Sequence, residues 1–255
     1  MILKEFDKGS AHIVVFENRT QMGTAAGKEI ACRIRELQKQ KQEVNMMFAA
    51  APSQNEVLGQ LLSERGIDWT VVNALHMDEY IGISSNHPAG FANFLKSKIF
   101  SKLPFKEIFC MDSTASDPGM EAVRYADILK SHPLDICILG IGENGHVAFN
   151  DPGVADFEDT KLVKIVEIDE RCRQQQVNDG CFDSIVQVPP RALTVTIPGL
   201  ISADYMYCCV PGAAKAEAVH DLINKGVSLA CPASILTQKP NTNIYLDADS
   251  AKWIL

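Results

Sequence analysis

The sequence predicts one α/β domain with a mostly parallel central sheet and helices on both faces. Three observations predict it. Short β-rich apolar runs alternate with longer helical stretches, and several of these runs are apolar throughout instead of at every second residue. No linker, repeat or low-complexity tract divides the 255 residues, so residues 1–255 read as a single domain. A strand that is apolar on both sides needs cover on both faces, and parallel strands need crossover helices between them.

The elements follow in order. HIVVF (His12–Phe16) reads as a strand, and Asn18 caps a helix running towards Gln42. VNMMFAAA is the next strand, followed by the helical PSQNEVLGQLLSERG. TVVNALH is a third strand, and HPAGFANFLKSKIF is helical with Pro88 in its first turn. KEIFCM, DPGMEAVRYADILKSH and LDICILGI continue the strand, helix, strand rhythm. LVKIVEI, a helix from Asp169, ALTVTI, YMYCCV, a helix from Gly212 to Asn224, and TNIYL complete the chain.

Apolar residues make up 46% and charged residues 22%, an ordinary globular balance. The net charge of -8, with no basic cluster, argues against nucleic acid or an anionic membrane as partner. No apolar run reaches the length of a membrane span or a signal segment, which makes the cytoplasm the expected location. The eight cysteines form no CxxC pair and sit mostly in apolar runs. They read as small buried hydrophobes, not as disulfides or metal ligands.

In open parallel sheets, ligands bind beyond the carboxyl ends of the strands. Three segments fall there. GIGENGHVAFNDP has the spacing GxGxxG after a strand, but Asn150, Asp151, Pro152 and Gly153 cut off the helix that a dinucleotide site needs. Gly142 and Gly145 permit close backbone approach, and His146 has Asn144 and Asp151 nearby to orient an imidazole. The histidine reads either as a structural residue or as a proton carrier. HMDEYIG places Asp78 and Glu79 directly after a strand with their side chains on opposite sides, either an acidic turn or a base facing a ligand. AAAPSQNE has no glycine for a phosphate turn, and Ser53 or Asn55, flanking Gln54, reads as a helix cap. Lys215 lies in the first turn of a helix, where a cation is unfavourable unless an anion compensates it.

The segments MDEYIG, HPAGF, LGIGENGHVAFNDP, VPPRALTV, PGAAKAEAV and CPASIL, in this order from about Val44 onward, resemble the glucosamine-6-phosphate deaminase (isomerase) family, related in fold to the 6-phosphogluconolactonases. The resemblance implies a Rossmann-like domain and an aldose–ketose isomerisation with loss of ammonia, with no metal or other cofactor. It assigns ring opening to His146, assisted by Asn144 and Asp151. It makes Asp78 the base that takes the C2 proton and returns a proton to C1. The substrate would be an amino-sugar phosphate, with Ser53, Gln54, Asn55, Glu79, Gly142, Gly145 and Lys215 as the candidate binding set. A homo-oligomer is one option, since family members differ in quaternary state.

The sequence departs from the family pattern at four places. Asn144 stands where the family has aspartate, and Asp151 where it has glutamate, one methylene longer. AAPSQNE replaces a glycine-rich loop, and Gly180 falls where the family has a phosphate-binding arginine. Arg173 and Arg191 are the cations expected to compensate. Two rival readings share the resemblance: a sugar lactonase, which needs no C2 base, and a sugar-binding protein without turnover.

Overall fold

In the third strand of the chain, Met46 and Phe48 enter one core while Met47 enters another on the opposite side. The same alternation runs through Ile136–Leu139 and Tyr205–Val210. Ile138 and Tyr207 face the first core, and Cys137 and Cys208 the second. Continuous apolar runs are therefore the strands of a sheet covered on both faces.

The computed structural model describes all 255 residues. Its eight-stranded sheet runs in the order β1 (Ile2–Lys8), β2 (Ala11–Phe16), β11 (Thr242–Asp247), β10 (Tyr205–Val210), β7 (Ile136–Leu139), β3 (Val44–Phe48), β4 (Val72–His76), β6 (Glu107–Phe109). All neighbours are parallel except β1 with β2. Helices α1 (Arg19–Gln38), α2 (Asn55–Ser63), α3 (Phe91–Leu95) and α5 (Glu170–Asn178) supply side chains to the first core, among them Ile30, Leu58, Leu95 and Cys172. Helices α4 (Pro118–Ser131), α6 (Ile197–Ile201) and α7 (Ala216–Asn224) supply Tyr125, Leu200 and Val219 to the second.

Adjacent strands β3 and β7 send their crossovers in opposite directions, β3 to β4 and β7 to β10. Their outgoing loops separate at the carboxyl ends and leave a crevice, the topological switch point of an open sheet.

Several sequence expectations are corrected. LVKIVEI and ALTVTI do not join the main sheet. They are β8 (Val163–Glu167) and β9 (Arg191–Val195), antiparallel to each other in a small sheet with β5 (Asp78–Tyr80). Val163 enters the second core and Val166, on the opposite face, the first, while Ile165 and Glu167 are exposed, so neither face of this strand is covered along its length as in the main sheet. β1 escaped the reading because its residues are largely exposed and it pairs only as a hairpin edge. The first helix stops at Gln38, and α3 begins at Phe91 with Gly90 as its cap, so Pro88 lies outside it. All eight cysteines are free, and five of them are buried. No helix is long and apolar enough to cross a membrane.

Candidate active site

Leaving β4, the chain passes Met77 and enters the small sheet, where Asp78 pairs with Thr194 and Glu79 with Leu193. Successive side chains of a strand point to opposite sides. Asp78 faces a cavity of about 260 Å³ at the crevice between the β3 and β7 loops. Glu79 faces away. Its carboxylate accepts the N–H groups of Phe91 (3.0 Å) and Ala92 (2.9 Å), the free donors at the start of α3. Glu79 is thus spent on holding a helix and does not line the cavity, contrary to its place in the candidate binding set. Asp78 is almost fully buried. Burial, and then the charge of Glu79, raises its carboxyl well above the ordinary range, as suits a proton acceptor.

The loop after β7 is shaped around an imidazole. The Gly142 N–H donates to the His146 carbonyl (2.9 Å), and a side chain at 142 would stand 2.1 Å from the His146 ring. Gly145 turns with φ +83° and abuts Cys231, so it serves the turn and lies outside the cavity lining. His146 Nδ1 lies 2.7 Å from Asn144 Oδ1 and 3.0 Å from Asp151 Oδ1. Two acceptor oxygens around one nitrogen assign the proton to Nδ1 and leave the Nε2 lone pair for chemistry.

Asp151 is fully buried. Burial alone would raise its carboxyl. Contact with His146, then donation from Asn144 Nδ2 (3.0 Å) and the Asp169 N–H (3.2 Å), outweighs burial and holds it below the ordinary value. The shorter aspartate therefore reaches His146 directly, with no bridging water. Asn144 and Asp151 sit behind the imidazole, while Asp78 and His146 both line the cavity.

At the other end of the cavity, the loops after β3 and β10 come together. Neither Ser53 nor Asn55 caps α2: the helix is entered through a short 3₁₀ turn, Pro52–Gln54, with no side-chain cap. Ser53 and Gln54 line the cavity, and Asn55 does not. Gln54 Nε2 donates to Ser53 Oγ (3.1 Å) and the Cys209 carbonyl (3.3 Å), in the space that a side chain at Gly140 would occupy. Among the lining residues, the backbone N–H groups of Ala50 and Ala51 have no backbone partner, and those of Ser53, Ala213 and Ala214 stand in the first turns of short 3₁₀ helices, where N–H groups have no partner within the helix. Such a cluster of donors attracts an anion whether or not the loop contains glycine.

Lys215 completes this end. It is buried at the start of α7, and burial lowers its ammonium pKa against the opposing pull of Asp179 and Glu143. The expected compensating arginines are elsewhere. Arg173 donates to the carbonyls of Ile185 (2.7 Å) and Val188 (2.9 Å), and Arg191 is an exposed strand residue. The cation that sequence reasoning missed is Arg19, which lines the cavity from the first turn of α1. A signal for it existed: Asn18 caps a helix directly after a strand, which puts residue 19 at the ligand edge of the sheet.

A family model described as glucosamine-6-phosphate isomerases/6-phosphogluconolactonase matches residues 17–245. The chain belongs to this family. Membership extends further towards the N-terminus than the motifs from Val44 onward and takes in the start of α1. A glucosamine-6-phosphate deaminase from Listeria welshimeri is 34% identical over 226 residues, 89% of this chain and 94% of the relative. One from an Exiguobacterium species is 34% identical over 192 residues, 75% of this chain and 74% of that one.

Among solved structures, a monomeric glucosamine-6-phosphate deaminase superposes with TM-score 0.87 at 27% identity, over 94% of this chain and 98% of that chain. A 6-phosphogluconolactonase from Trypanosoma brucei shares the fold with TM-score 0.76 at 17% identity, covering 99% of this chain and 100% of that chain.

Proposed function

We propose that this family member is a glucosamine-6-phosphate deaminase, converting an amino-sugar phosphate to the ketose phosphate and ammonia. The observation that carries the reading is that Asp78 and His146 line one cavity, with the imidazole oriented from behind by Asp151. A ring-opening base and an enolisation base are needed at neighbouring carbons of one sugar, and neither requires a cofactor.

His146 Nε2 takes the proton from the C1 hydroxyl and delivers it to the ring oxygen, which opens the ring to the aldehyde. Asp151 stabilises the transient imidazolium through Nδ1, and Asn144 holds both in register. Asp78 then takes the C2 proton while the C2 ammonium passes a proton to the C1 oxygen, giving an enolamine, and delivers its proton to C1, leaving an iminium at C2. Water adds at C2 and ammonia departs. Burial of Asp78 raises its proton affinity towards that needed for a carbon acid. The phosphate is assigned to Lys215 and these N–H groups of the β3 and β10 loops.

The test is a panel of phosphorylated and unphosphorylated amino sugars, with ammonia and ketose measured, on wild type, Asp78→Asn and Lys215→Ala. Wild type should turn over glucosamine 6-phosphate and prefer phosphorylated sugars. Asp78→Asn should be inactive, and Lys215→Ala should lose the preference. Turnover of a sugar-phosphate lactone that survives Asp78→Asn would instead mark a lactonase. Tight binding with no product on any substrate would mark a sugar-binding protein.

A further inference from the structure

Arg19 is held by more contacts than a surface arginine needs. Its Nε donates to Glu56 Oε1 (2.7 Å) and its Nη2 to Glu56 Oε2 (3.0 Å), a two-point grip on the carboxylate. The same Nη2 donates to the carbonyl of Pro52 (3.2 Å), in the loop that carries the N–H groups of Ala50, Ala51 and Ser53. With Nε and Nη2 both engaged, Nη1 retains two uncommitted donors on the outer side of the fork.

The grip depends on a glycine. Gly23 lies one helical turn after Arg19 in α1, and a side chain there would stand 2.2 Å from Glu56 Cβ. Only a residue without Cβ lets α2 approach closely enough to bring Glu56 over Arg19. The second neighbouring loop is tied to the same place. Asp247, whose charge acts on Arg19, accepts the Gly212 N–H (3.0 Å) at the turn that leads to Lys215. Arg19 therefore stands where the β3 and β10 loops meet, at the anion-attracting end of the cavity. The cavity is lined by two cations, Arg19 and Lys215, against three carboxylates, Asp78, Glu143 and Asp179. A dianion placed near Lys215 alone would meet the field of Asp179 and Glu143 as well.

We propose that Arg19 is a substrate-binding residue: its guanidinium, fixed by Glu56 and Pro52, receives the anionic end of the substrate through Nη1 opposite Lys215. In this chain a second phosphate cation then comes from the first turn of α1, on a helix stacked against α2 by Gly23. The proposal rests on the phosphorylated substrate inferred above, and it adds a residue and a geometry to that reading. A planar fork whose other donors are already committed loses little freedom on binding an anion, which makes this contact worth more than a free surface arginine would give.

The experiment measures steady-state kinetics with glucosamine 6-phosphate and, separately, the affinity for inorganic phosphate by calorimetry. The proteins are wild type, Arg19→Ala, Arg19→Lys and Glu56→Gln. Arg19→Ala should raise KM, and weaken phosphate binding, by about tenfold or more, with kcat changed far less, as expected for loss of a charge-assisted contact. Arg19→Lys should recover part of both. Glu56→Gln, which leaves the charge on Arg19 but takes the carboxylate from its anchor, should fall between. Folding of each variant is checked by its thermal midpoint, since a merely structural residue would lower the midpoint without moving phosphate affinity. Wild-type phosphate affinity retained in folded Arg19→Ala overturns the assignment of Arg19 while leaving the deaminase reading intact. A wild type that neither binds phosphate nor turns over removes that reading and this proposal with it.

Discussion

Asp151 Oδ1 lies 3.0 Å from His146 Nδ1, and the carboxylate is fully buried while the imidazole edges into the cavity. A buried carboxylate behind a histidine fixes the tautomer and stabilises the imidazolium that forms in turnover. Asp151→Asn keeps the shape, loses the charge and can present an N–H to Nδ1. We expect kcat to fall by about 10²- to 10⁴-fold with KM little changed, read from steady-state rates of ammonia release. A kcat within threefold of wild type would remove Asp151 from the mechanism.

Gly142→Ala puts a methyl where the His146 ring now lies, 2.1 Å from its nearest atom. The ring has to move, and its contact with Asp151 moves with it. Turnover should drop by at least about tenfold while the protein stays folded, because a displacement of about 1 Å costs up to 10²-fold. Circular dichroism alongside kinetics separates the two effects.

Asp78→Asn should be both inactive and more stable near neutral pH. The folded-state pKa of Asp78 is raised, so its carboxylate is favoured less in the fold than in the unfolded chain. The sign follows. Protonated Asp78 contributes stability below the ordinary carboxylate range, and that contribution is lost as pH rises through the raised value. The variant therefore gains a few degrees in thermal midpoint at pH 7 and little or nothing near pH 3. Equal midpoints at pH 7 would count against a buried, destabilised charge. The same raised value moves the acid limb of kcat/KM to higher pH than an ordinary carboxylate would give.

Glu79→Ala removes the acceptor for three backbone N–H groups, those of Tyr80, Phe91 and Ala92. Buried donors left unpaired cost about 1–3 kcal/mol, partly offset because Glu79 itself is buried at a cost that raises its own carboxyl. Urea unfolding should show a lower midpoint with unchanged slope. Because Glu79 does not line the cavity, KM should change less than twofold, whereas a substrate ligand would show a larger rise.

Much of the fold could be read from the sequence because burial on two faces leaves a plain trace. MMF of β3 and ICIL of β7 are apolar at every position for the reason that both faces are covered. Asn18 and Asp169 marked helix starts, and both side chains accept N–H groups of the first turn. β8 and β9 were misassigned to the main sheet because strand pairing is a long-range choice. A run of five residues does not say which neighbour it will meet.

The site divides along the same line. Its chemistry is local: strand alternation alone separates Asp78 from Glu79, and the short loop from Gly140 to Asp151 brings Asn144, His146 and Asp151 together in one stretch of chain. What lines the far end of the cavity is not local. Arg19, Ala50, Ser53, Ala213 and Lys215 come from three strand-to-helix turns separated by up to about 200 residues, and only sheet order makes them neighbours. The sequence by itself determined a two-sided α/β sheet and a loop that brings Asn144, His146 and Asp151 together, since both follow from spacing within a few residues. Tertiary structure alone decided that Glu79 serves a helix, that Arg173 is spent on carbonyls and that Arg19 faces the cavity. A side chain's hydrogen-bond partners across the fold are set by packing, which no local pattern encodes.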